Sequence, residues 1–118
     1  MAGKKTRSQG QLESQVLDAL WELNRKASSQ EILDKLEDGI ALTTVLTVLA
    51  RLVDKELVRK TAGEGRSLAF EAVLTREQFA ADQLLKIIES TENPALAFAH
   101  LAKGLDAKAL KALRDSLG

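Results

Sequence analysis

The chain has 118 residues, the size of one small domain or of two subdomains sharing a core, and its 45% hydrophobic and 29% charged residues are those of an ordinary folded protein. With no cysteine it can form no disulfide framework, thiol switch or thiolate metal site, and a single histidine with only 3% aromatics gives little basis for hydrolytic triads, histidine metal sites or base-stacking platforms. Seventeen basic residues balance seventeen acidic ones, so an overall cationic coat is excluded and any basic footprint must be local.

Helical spacing of Leu12, Val16, Ala19, Leu20 and Leu23 predicts a first helix from about Gln11 to Leu23. Ser28 followed by Glu31 is a capping box that opens a short second helix, with Ile32, Leu33 and Leu36 inward and Gly39 as its stop. A third helix spans about Leu42 to Lys55. Leu57–Thr61 and Leu68–Val73 then alternate with period two around Gly63-Glu64-Gly65-Arg66, which reads as a hairpin with a glycine-rich, basic tip. Thr75 with Gln78 caps a fourth helix, flanked by Leu74 and Phe79 at the positions of a hydrophobic staple. Asn93-Pro94 opens a fifth that ends at Gly104, and Asp106 caps a sixth carrying Leu110, Leu113 and Leu117.

The third helix carries the chemistry. At ~100° per residue, Val45, Leu46, Val48, Leu49, Leu52 and Val53 fall on one arc, and Thr43, Thr44, Thr47, Ala50, Arg51, Asp54 and Lys55 on the other. Three threonines on an exposed arc conflict with helix propensity, and such local conflicts tend to mark functional surfaces. Short hydroxyl-and-methyl side chains let a helix sit deep in the major groove, where they can bond base edges or phosphates or touch the thymine methyl. Arg51 can reach a phosphate or a guanine edge. Helix, short helix, turn and third helix make a helix-turn-helix, and the hairpin makes it winged, with Arg66 placed to meet the minor groove or a phosphate. Charge agrees: Met1–Arg7 holds Lys4, Lys5 and Arg7 without an acid, and Thr43–Arg66 holds five bases against three acids.

At these residues the chain resembles the penicillinase-repressor family of BlaI/MecI/CopY type. The matching stretches are Leu12-Glu13 with Val16 through Trp21, Ala27 through Ile32, Thr43 through Leu52, Lys55 through Arg59, Gly65-Arg66 and Ala95 through Phe98. The run Thr-Thr-Val-Leu-Thr-Val-Leu-x-Arg-Leu is the most specific part, and the likeness covers nearly the whole chain. It implies a homodimeric repressor on a palindromic double-stranded DNA operator, often with TACA and TGTA half-sites. It also implies base contacts from Thr43, Thr44, Leu46 and Thr47 and backbone contacts from Arg51 and Arg66. Derepression by proteolysis, linked to a membrane sensor metallopeptidase, is implied as well. Three departures stand out. Staphylococcal members carry lysine and arginine where this chain has Thr43 and Leu46. Their cleaved Asn-Phe bond aligns with Ala99-His100. The cysteine-rich metal-sensing tail of CopY relatives has no counterpart in a chain without cysteine.

The expected fold is therefore mainly α with a small β-hairpin wing: a winged helix-turn-helix over 1–74 and a helical dimerisation region over 75–118. The apolar girth of the fourth helix, with too few residues after Thr75 for a core of their own, points to pairing of two copies. No cofactor, metal site, membrane insertion or enzymatic activity is expected. No apolar run approaches the ~20 residues of a membrane span and no signal-type apolar core follows the basic N-terminus, so the expected location is cytoplasmic. His100 reads as structural and Trp21 as a core side chain. The rival reading is a winged-helix adaptor that docks a protein partner, which suits the neutral charge but leaves the threonine arc without a purpose.

Overall fold

A computed structural model of the chain describes residues 9–117; the basic arm with Lys4, Lys5 and Arg7 lies outside them. In chain order the described residues form α1 (Gln9–Leu23), α2 (Ser29–Lys35), α3 (Leu42–Asp54), β1 (Val58–Ala62), β2 (Leu68–Ala72), α4 (Arg76–Glu89), α5 (Pro94–Gly104) and α6 (Ala107–Leu117). This is a winged helix followed by a helical region. The chain divides into two compact units, Met1–Gln78 and Phe79–Gly118.

The core of the first unit is built from one stripe of each element. α1 contributes Val16, Leu17, Ala19 and Leu20, α2 contributes Ile32, and α3 contributes Val45, Val48, Leu49 and Leu52. Val58, Ala69 and Phe70 close it from the hairpin. β1 and β2 pair antiparallel with Val58 opposite Ala72, Lys60 opposite Phe70 and Ala62 opposite Leu68. Ala27, between α1 and α2, exchanges two backbone bonds with Phe70 (3.0 and 2.8 Å), a third rung of sheet that the sequence pattern did not announce. It stitches the start of the helix-turn-helix to the wing.

Side-chain caps hold where expected. Ser28 Oγ accepts from the Glu31 amide at 3.1 Å, and Glu31 returns the bond to the Ser28 amide at 3.0 Å. Thr75 and Gln78 exchange the same pair of bonds at the start of α4, and Asn93 and Asp106 cap α5 and α6.

Three expected boundaries need correction. α2 ends at Lys35, not at Gly39: Leu36 turns extended (ψ 165°) while its amide bonds the Leu33 carbonyl. Gly39 (φ +94°) instead shapes the connection to α3. β1 starts at Val58 rather than Leu57, because the Leu57 amide is used by the helix before it. Leu57 N–H bonds the Leu52 carbonyl and Glu56 N–H the Val53 carbonyl (both 2.9 Å), the two bonds of a Schellman C-cap. The left-handed residue of that cap is Glu56 (φ +63°), where glycine is usual. The Leu68 strand ends at Ala72, one residue short of expectation, although the Val73 amide still bonds the Leu57 carbonyl at 3.0 Å.

Trp21 is half-buried rather than fully enclosed. Its indole N–H donates to the Leu74 carbonyl at 2.9 Å. The Arg76 guanidinium lies 5.0 Å from the ring centroid and bonds Asp18 at 2.8 Å. Cation–π and ion-pair contacts thus fix residues 74–76 against α1.

The second unit buries little of itself. Ile88 is its single buried apolar side chain among the described residues, while Leu84, Leu85, Ile87, Leu96, Phe98 and Leu113 are each more than two-fifths exposed.

Candidate nucleic-acid interface

Four buried side chains of α3, spaced at Val45, Val48, Leu49 and Leu52, define its packed stripe and thereby which side faces outward. Thr43, Leu46, Thr47, Ala50 and Arg51 are exposed together on that outward side, and Thr44 is half-buried at its border. Leu46 corrects the sequence reading of the helix. Grouped there with the apolar arc, it is 43% exposed, because it lies roughly 110° from the centre of the buried stripe at ~100° per residue. Leu42, one turn earlier, is 37% exposed.

The hydroxyl of Thr47 is not free to donate outward. Its Oγ1 donates to the Thr43 carbonyl at 3.0 Å, the back-bond open to a threonine inside a helix. What the side chain still offers is oxygen lone pairs and a methyl group. α3 has Ala41 at its N-cap and no side-chain cap; the Thr44 amide turns instead to the Ala41 carbonyl at 3.0 Å.

A charged clamp holds the connection between α1 and α2 to the start of α2. Arg25 Nη2 lies 2.7 Å from Glu31, the residue of the α2 capping box. The hydrogen bond from Arg25, then that from the Ser28 amide, pulls the Glu31 carboxyl down to about 2, and the same pair raises Arg25 above its ordinary value. Glu13, almost buried on α1, binds Lys55 Nζ at 2.7 Å and ties the C-terminal end of α3 to α1.

The wing turn places Gly65 at φ +62°, a left-handed position where an added Cβ would meet nothing within 4 Å, so conformation rather than space demands glycine. Gly63 is crowded instead: a Cβ there would come 2.9 Å from Ser67 Oγ. Ser67 Oγ donates to the Glu64 carbonyl at 2.6 Å and the Gly63 amide to the Ser67 carbonyl at 2.9 Å, closing the turn. Arg66 is exposed in that turn, on an element separate from α3.

The five bases of Thr43–Arg66 are not equivalent. Lys55 is paired with Glu13, and Arg59 with the cross-strand Glu71 at 3.0 Å. Arg51, Lys60 and Arg66 have no carboxylate within ion-pair distance among the described residues. Among those residues, too, no cluster of three His, Cys, Asp or Glu side chains could hold a metal ion, and no helix is long and apolar enough to cross a membrane.

A third helix exposed along one face, seated on a helical pair and followed by a glycine-turned wing, defines the winged-helix class of DNA-binding regulators. The chain belongs to the penicillinase repressor family, whose model matches residues 9–118. That is a family of transcriptional repressors. No curated protein sequence matches the chain. Among solved structures, a mutant form of ZitR from Lactococcus lactis is similar at 16% identity and a TM-score of 0.48, over 98% of this chain and 77% of that one.

Proposed function

We propose that the protein is a homodimeric repressor that binds a dyad-symmetric DNA operator from the cytoplasm. Residues 1–74 read DNA and residues 75–118 pair the two copies. The observation that carries this reading is the outward face of α3: between Thr43 and Ala50 it bears no charged side chain, only short ones and Leu46, and Arg51 follows without an acidic partner. Such a face has no charge to desolvate and little bulk to clash when it enters a major groove. Thr43, Thr44, Leu46 and Thr47 meet base edges there, while Arg51 and the wing Arg66 hold phosphates.

Pairing is supported by the apolar side chains left exposed in Phe79–Gly118. A surface so rich in leucine and isoleucine is covered in a stable assembly. A two-fold dimer presents two third helices about one DNA turn, or a multiple, apart. Relief of repression is proteolytic and linked to a membrane sensor. The bond that the resemblance aligns with the cut, Ala99-His100, lies within α5.

Selection of binders from a library of random 30-base-pair duplexes tests the reading. A palindromic sequence with two half-sites is the expected product. Failure to enrich any sequence would overturn it in favour of protein docking.

A further inference from the structure

Within the DNA-repressor reading, on which this inference rests, we propose that Leu46 and the methyl group of Thr47 select thymine by apolar contact with its C5-methyl, and that hydrogen bonds donated to base edges contribute little at these positions. Two independent observations lead there. First, Leu46 stands 43% exposed on the outward side of α3, with Leu42 at 37% beside it, an apolar flank where a solvated helix would carry Glu or Lys. Second, the one hydrogen that Thr47 could donate is spent on the Thr43 carbonyl at 3.0 Å. The central pair of the reading face therefore presents carbon and oxygen lone pairs, but no donor.

The chemistry of the major groove makes this selective. Guanine presents two acceptors, N7 and O6, which are read best by Arg or Lys; thymine is the base that adds a methyl group. From Thr43 to Ala50 the outward side has no cation, so the bidentate Arg or Lys contact that favours guanine is missing there. Arg51 follows one turn beyond Thr47 and serves a phosphate equally well. A base pair under Leu46 and Thr47 gains most when its methyl is buried against theirs. On such a T·A pair adenine N6–H can still donate to the Thr47 lone pairs, which orients the contact without changing what selects it.

The test uses the full-length chain and the duplex obtained from the random library. Each dT of one half-site is replaced singly by dU, which keeps base pairing and O4 but removes the methyl. At one or two positions affinity is expected to fall about four-fold, the value of one buried methylene-sized group. L46A should lose that discrimination, binding the dT and dU duplexes alike. Circular dichroism should show it fully folded, since Leu46 is not a core side chain. Thr47→Val should keep discrimination within about two-fold, and Thr47→Ser should lose it. If no dU position changes affinity while the selected duplex still beats random DNA, the inference is wrong and the repressor reading stands. If T47V abolishes sequence preference, hydroxyl readout is correct and the inference is likewise wrong. If no duplex is selected at all, the repressor reading falls and takes the inference with it.

Discussion

Replacing Arg51, Lys60 and Arg66 together by alanine isolates the electrostatic footprint, because these are the cations of the Thr43–Arg66 patch that no carboxylate holds. Three per protomer in a dimer amounts to about six phosphates, and at about 0.9 per phosphate they contribute roughly 5 to the slope of log K against log salt. From these side chains alone, binding to a random duplex should weaken roughly a thousand-fold between 50 and 200 mM salt. The triple variant should lose that dependence, and Arg51→Ala alone should flatten the slope by about 2. Arg59→Gln is the control. Its guanidinium already holds Glu71 at 3.0 Å, so it should move the slope by less than about 1. Fluorescence anisotropy of a labelled random duplex, titrated at several salt concentrations, reads all of these. Whatever Lys4, Lys5 and Arg7 add is common to every variant and cancels in the comparison. A triple variant with an unchanged slope, or an Arg59 variant with the largest change, would show that ion pairing within the protein does not decide which cations meet DNA.

The α2 clamp predicts a pH signature. The Glu31 carboxyl is held at about 2, below its ordinary value of 4.5, so its contribution is present above about pH 4.5 and is lost as pH falls towards 2. Thermal melts of the native chain and Glu31→Gln should therefore converge on acidification. Ser28→Ala removes the other half of the box and should cost about 1 kcal/mol in guanidinium unfolding. Two left-handed residues should respond with opposite signs: Gly65→Ala (φ +62°) should destabilise and Glu56→Gly (φ +63°) stabilise, each by about 1 kcal/mol. Leu49→Ala, at a fully buried position where α3 meets the core, should cost about 2–5 kcal/mol by leaving a cavity. A smaller loss at Leu49 would mean that the core can collapse around the missing side chain.

What was legible in the sequence follows from which groups end each element. Ser28 with Glu31, Thr75 with Gln78, Asn93 and Asp106 are side-chain caps, and each helix start they mark stands where the residue types place it. Ends made by backbone alone were less evenly legible: α1 closes at Leu23 and α5 at Gly104 as expected, but α2 stops short of Gly39. The close of α2 at Lys35 and the Schellman turn at Glu56 carry no glycine, the residue type that signals such ends in a sequence. The Ala27–Phe70 rung joins residues 43 positions apart, beyond the reach of any local pattern. The outward face of α3 divides in the same way. Exposure of Thr43, Thr47 and Arg51 follows from helical period. Exposure of Leu46 does not, because a leucine at the edge of an apolar arc is counted with the core until the packed stripe is seen. The back-bond of Thr47 depends on a rotamer, and the pairing of Lys55 with Glu13 on two helices brought together by folding.

The central claim is that this chain meets DNA with α3 and the wing. It is tested most directly by backbone amide chemical-shift mapping of the ¹⁵N-labelled protein as the selected duplex is added. The account predicts the largest changes at Thr43, Leu46, Thr47 and Arg51 and at Gly65 and Arg66. Amides there that stay in place, with changes confined to the exposed apolar helices between Leu84 and Leu117, would contradict it.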